Sequence, residues 1–141
     1  MVNMDRRKLA ALSSLHRLST LKSDAELARL AAVAASRDRL RSAVEALRET
    51  EAPLGPAPTP GAEPAAPVDP AMLGARLAHR RWIETQQTRL NQQLALVTAD
   101  FLRQKPAAAK AFGRAMVLDQ LGTQARHTLR QSEGRKARDG C

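Results

Sequence analysis

Aromatic side chains are almost missing from this sequence of 141 residues, which has two Phe, one Trp and no Tyr. The hydrophobic 43% consists mostly of Ala and Leu, with little of the Val, Ile, Thr and aromatic content that favours strands. This composition argues against a β-sandwich, a β-barrel and a doubly wound α/β domain. It is typical of long helices or a coiled coil.

Cysteine and long apolar runs are also scarce. The single Cys141 cannot form an intrachain disulfide, which suits a reducing compartment. Charged residues 5–8 interrupt any apolar signal core at the N-terminus, and no stretch approaches the roughly 20 apolar residues of a membrane-spanning helix. We therefore expect a cytoplasmic protein without a membrane span.

Motifs that carry chemistry are absent from the sequence. His16, His79 and His127 stand apart from one another, and no Cys or His lies at metal-ligand spacing. There is no glycine-rich phosphate loop and no Gly-x-Ser-x-Gly. We expect no catalytic, cofactor-binding or metal-binding residue and no small-molecule substrate, so the chain is interpreted as an interaction protein and not an enzyme.

Basic residues exceed acidic ones, and the net charge is +9. Residues 1–50 contain ten bases and six acids, residues 51–70 contain three acids and no base, and residues 71–141 contain thirteen bases and five acids. Such a surface favours acidic partners, but it does not choose between protein, nucleic acid and anionic membrane.

Prolines divide the chain, because seven of the eighteen residues from Pro53 to Pro70 are proline. Proline lacks an N–H donor and blocks helix propagation, so residues 51–69 are predicted to be a flexible, partly polyproline II connector. Residues 3–50 are predicted to form the first long helix. Ser23 followed by Glu26 leaves open a break near Thr20, although we favour continuity. The apolar face at 100° per residue consists of Leu9, Leu12, Leu15, Leu18, Leu27, Leu30, Val33, Leu40, Val44 and Leu47.

The second helix is predicted over residues 70–131, with Asp69 as its cap and Pro70 in its first turn. Pro106 either kinks this helix or starts another one. Residues 132–141 are polar and predicted to be disordered. A seam with alternating spacings of three and four indicates a coiled coil; it comprises Ile83, Gln87, Leu90, Leu94, Val97, Phe101, Gln104, Ala108, Ala111, Ala115, Leu118, Gly122, Ala125 and Leu129.

A lone amphipathic helix is unstable in water, so the two helices should pair. The predicted fold is all-α: an antiparallel two-helix hairpin coiled coil with a Pro-rich connector and a longer second helix. Folding about residue 60 would place Asp5 beside Ala115, so the end of the second helix would project past its partner. The projecting end would be a docking surface, unless it frays or pairs with another copy; its residues include Arg114, Leu118, Leu121 and Arg126.

Trp82 is a second candidate for partner binding, because it lies off the seam and follows Arg80 and Arg81. An exposed Trp beside arginines is typical of a binding hot spot. The alternative is that Trp82 packs over the first helix near Leu40.

Part of the second helix resembles a known family. The residues concerned are Arg81-Trp82-Ile83 with Gln86 and Gln87, the stretch from Ala111 to Leu121, and Arg126. Over residues 80–130 the chain is similar to the FliJ/YscO proteins of flagellar and type III secretion systems. The resemblance implies a hairpin that acts as a stalk in bacterial flagellum biogenesis or type III protein transport. It also implies that the stalk binds the hexameric export ATPase and the export gate, in the cytoplasm or peripheral to the inner membrane.

Two other functions are compatible with the sequence. A pI near 11.2 and clustered arginines are features of a basic helical nucleic-acid-binding protein. The shortage of aromatic stacking platforms and the interleaved acids of residues 1–50 argue against it. The second alternative is a structural homo-oligomeric coiled coil.

Overall fold

The computed structural model contains two long helices, α1 (Val2–Thr50) and α2 (Pro70–Asp139), and it describes residues 2–51, 61 and 69–140. The helices pack against each other, which confirms the predicted all-α hairpin with a longer second helix. α1 is continuous through Thr20. The predicted proline-rich connector lies outside the described residues except at Glu51, Gly61 and Asp69.

The chain divides into two compact units. The first, here called the terminal unit, comprises Met1–Val33 and Phe101–Cys141. The second, here called the central unit, comprises Ala34–Asp100. Each unit contains one segment of α1 and one of α2.

α2 begins with the predicted cap. The Asp69 carboxylate accepts a hydrogen bond from the Ala71 N–H at 3.1 Å, and Pro70 occupies the first turn, where a missing N–H costs nothing. The helix remains a single element across Pro106, which is exposed, so the start of another helix at this position is excluded. It continues to Asp139, and residues 132–139 are therefore helical, where the sequence had led us to expect disorder.

The predicted seam of α2 is confirmed, because all of its residues are buried or half-buried. Ile83 is 2% exposed, Ala108 1% and Ala111 6%. The core along this helix therefore changes from a large side chain at Ile83 to small ones at the alanines.

The predicted apolar face of α1 is wrong in its middle. Leu15, Leu18 and Leu27 are 51%, 64% and 41% exposed. The residues of α1 that contact α2 instead alternate at spacings of three and four, as in a coiled coil. This spacing places several polar side chains in the contact. The buried or half-buried seam of α1 comprises Leu9, Leu12, His16, Ser19, Ser23, Glu26, Leu30, Val33, Arg37, Leu40, Val44 and Leu47.

The predicted register of the hairpin is also wrong. In the terminal unit Arg6 Nη2 lies 3.1 Å from Glu133 Oε1, so the start of α1 lies near the end of α2 and not beside Ala115. In the central unit the Gln87 amide donates a hydrogen bond to Glu51 at 3.0 Å. Residues 69–82 are all exposed, and they precede the first buried seam residue, Ile83. The segment of α2 that extends past its partner is therefore its start and not its end.

Candidate partner-binding surfaces

The two units differ completely in charge. The terminal unit contains fifteen Lys and Arg against six Asp and Glu, and the central unit contains eight of each. The whole net charge of +9 therefore belongs to the terminal unit. Along the sequence this separation is hidden, because α1 and α2 each contribute to both units.

The terminal unit has two sides, which can be told apart by their position relative to the seams. Ser13, Asp119 and Arg126 each directly follow a seam residue, and all three line one cleft. Residues that follow a seam position on either helix therefore share one side of the pair, here called the cleft side. Residues that directly precede a seam position form the opposite side, here called the basic side.

Exposed apolar side chains lie on both sides of the terminal unit. On the cleft side they are Leu27, Leu102, Phe112 and Met116. On the basic side they form a row on each helix. Leu15 and Leu18 of α1 directly precede the seam residues His16 and Ser19. Val117 and Leu121 of α2 directly precede the seam residues Leu118 and Gly122, and they are 54% and 45% exposed. An apolar row on each helix is a feature of surfaces that bind a further chain.

All charged residues on the basic side are cations. None of the acidic residues of the terminal unit directly precedes a seam position; Asp100, which precedes Phe101, is the last residue of the central unit. All the cations there are exposed. They are Lys8, Lys22, Arg29, Arg103, Lys110 and Arg114. The cleft side is mixed, since it carries Asp24 and Asp119 beside its own bases.

The cleft is small and lined by both polar and apolar side chains. Its volume is about 30 Å³, and it lies beside Gly122, a buried seam residue without a side chain. His16 Nε2 is 3.8 Å from Asp119 Oδ1 across the two helices, and Arg126 donates a hydrogen bond to the Thr123 hydroxyl at 3.3 Å. Among the described residues His16 Nδ1 is buried and has no hydrogen-bond partner. This space is sufficient for a water molecule but not for a metabolite.

The predicted binding residues are divided between these surfaces. Arg114 and Leu121 lie on the basic side, and Arg126 lies beside the cleft. Leu118 is a half-buried seam residue that lines the cleft, so it serves the contact between α1 and α2. Leu15, Leu18 and Val117 were missed as candidates. Extending the strict spacing of three and four to α1 would have identified the first two.

Trp82 and Arg81 belong to the exposed start of α2 in the central unit. Trp82 is 54% exposed, and its ring stacks on that of His79 with centroids 6.0 Å apart. Met72, Leu73 and Leu77 on the same segment are each at least half exposed. The indole is therefore exposed, as the sequence predicted, and it contacts a side chain of its own helix; partner binding at Trp82 stays a prediction.

Within the described part of the chain, no group of three or more His, Cys, Asp or Glu could hold a metal ion. Neither described helix has a stretch apolar and long enough to cross a bilayer. No family model, curated protein or solved structure matches the chain.

Proposed function

We propose that this chain is a non-enzymatic coiled-coil stalk of a flagellar or type III protein-export apparatus, which binds the hexameric export ATPase and the export gate. It works in the cytoplasm or peripheral to the inner membrane. The observation that carries this proposal is the terminal unit, which combines the whole net charge with exposed apolar rows on both helices. The resemblance of residues 80–130 to FliJ/YscO proteins supports the choice of apparatus.

The small seam residues of the terminal unit suit a stalk. Ala108 and Ala111 are almost completely buried, and Gly122 is also buried. Small side chains let helix axes approach closely, so the pair stays thin where it carries the partner-binding rows. A thin basic pair of helices can enter a ring and be guided there by acidic residues of the ring.

Co-purification with the hexameric export ATPase of the same organism tests the proposal. We expect the wild-type chain to bind and the double variant Val117→Asp/Leu121→Asp to bind at least about tenfold more weakly, since it places charges in an apolar contact. Leu118 is unsuitable for this test because a charge in the seam would disrupt the hairpin.

The matched control is Leu102→Asp/Met116→Asp, which adds the same charges on the cleft side, where both residues are exposed. It should keep the wild-type affinity. If the export ATPase does not bind the wild-type chain, the proposed export role is wrong. If both double variants lose affinity equally, the basic side is not the binding surface.

The charge of the basic side also favours a second function, nucleic-acid binding, since six bases without an acid could follow a phosphate backbone. No aromatic residue lies on this side to stack on bases. A gel shift with duplex DNA and with single-stranded RNA at graded salt tests this function. Retardation that persists at about 0.15 M salt would support it.

A further inference from the structure

We infer that the basic side of the terminal unit binds an acidic amphipathic helix of a partner protein, which lies along the hairpin as a third helix. The inference rests on the proposed role as a protein-binding hairpin, but not on the identity of the apparatus. It specifies the chemistry of the partner: an apolar stripe bordered by Asp and Glu.

The apolar rows define where the third helix lies. Leu15 and Leu18 are three residues apart on α1, and Val117 and Leu121 are four residues apart on α2, so each pair occupies one face of its helix. The two rows border the seam from both helices on the same side of the pair. A helix packed between them would cover all four side chains, which are now about half exposed or more.

The charges select an acidic occupant. Six exposed cations border the rows, and no acidic residue of the terminal unit directly precedes a seam position. Carboxylates that border the apolar stripe of a partner helix would meet Lys22, Lys110 and Arg114. A second copy of this chain would instead bring the same six cations against these, and like charges in contact are destabilising.

The seam of the terminal unit explains why a third helix would be stabilising. Its most buried side chains include Ser23, Ala108 and Ala111, which are 3%, 1% and 6% exposed, whereas large apolar seam residues such as Leu12 and Leu118 are only half-buried. Leu15 and Leu18 lie on the basic side and are exposed. A bound helix would cover them, so binding should also raise the stability of the hairpin.

Two synthetic helical peptides of about four heptads serve as probes. Both have Leu at the two apolar positions of each heptad; one has Glu at the flanking positions and the other has Lys. Fluorescence anisotropy at about 0.15 M NaCl measures their binding to the full chain. We expect the Glu peptide to bind and the Lys peptide to bind at least about tenfold more weakly.

Charge-reversal variants locate the site. Lys110→Glu/Arg114→Glu should weaken binding of the Glu peptide at least about tenfold, and Leu18→Asp should weaken it as well. The matched control Lys105→Glu/Arg130→Glu makes the same change in net charge on the cleft side. It should alter the affinity less than about twofold, because exposed charges farther from the peptide are screened.

Several outcomes would overturn the inference. These are no binding of the Glu peptide, equal binding of the two peptides, or equal losses in the two charge-reversal variants. Light scattering that shows a dimer, broken by Leu18→Asp, would assign the rows to a second copy. A chain that binds the Glu peptide on the basic side but not the export ATPase would keep this inference and reject only the export role.

Discussion

At the scale of single residues, the most buried side chains of the terminal unit are small, and several of its leucines are exposed. Ser23 is 3% exposed and Ala108 1%, whereas Leu18 is 64% exposed. Small residues are buried here because close approach of two helices leaves no space for larger ones. The exposed leucine belongs to the surface that we propose binds a third helix.

Ala108 tests this close approach. Replacing it by Leu should lower the free energy of unfolding by about 1–3 kcal/mol, since extra atoms in a filled seam force the helices apart. Urea denaturation followed by circular dichroism measures the change. Ala109→Leu adds the same atoms at the next, exposed position, and its effect should stay within about 0.5 kcal/mol. Equal effects at both positions would mean that the seam has spare volume.

At the scale of elements, α2 was predictable and α1 only in part. The seam of α2 contains enough large apolar residues, from Ile83 to Phe101, for its spacing to be read directly. In α1 the seam passes through His16 and Glu26, while leucines lie beside it. An apolar face chosen from the leucines therefore includes Leu15 and Leu18. It misses the alternating spacing of three and four that marks the true contact with α2.

The register could not be derived from the two helices alone. A connector of unknown path can join them at many offsets, so symmetric folding about residue 60 was an assumption. The hydrogen bond between Glu51 and Gln87 shows that pairing begins well inside α2. Ile83, the first residue of the predicted seam, already marked that point in the sequence. The binding residues proposed for a projecting C-terminal end of α2 were therefore placed on a helix that is paired there.

Pro106 provides a test at this scale. It is exposed within α2, where it lacks the N–H that an interior helical residue donates and its ring crowds the preceding turn. Pro106→Ala should raise the free energy of unfolding by about 3 kcal/mol, measured by urea denaturation. Gln120→Ala, at an equivalent exposed position two heptads later, should change it by less than about 0.5 kcal/mol. No gain for Pro106→Ala would show that the helix has already relaxed around the proline.

At the scale of the whole molecule, the excess of basic residues, which the sequence divides between its two ends, is concentrated in one folded unit. The first and last parts of the chain together form a unit of net charge +9, and the intervening part forms one without net charge. Such self-repulsion destabilises the unit that bears it, and the acidic partner that we propose would relieve it. The proposed binding surface therefore lies in the unit where repulsion between like charges is greater.

Salt should reveal that repulsion. Raising NaCl from about 0.02 M to about 0.3 M shortens the Debye length several-fold, so the urea midpoint of unfolding should rise. Lys110→Glu/Arg114→Glu lowers the charge of the terminal unit and should show a smaller rise. A midpoint that falls with salt would mean that attractive ion pairs, such as Arg6–Glu133, outweigh the repulsion.

The exposed start of α2 has one more consequence. Arg76, Arg80 and Arg81 lie within residues 69–82, all of which are exposed. A trypsin-like protease that cuts there would spare both seams but sever the covalent tether between them. The two fragments would then associate as separate molecules, and the hairpin would dissociate on dilution.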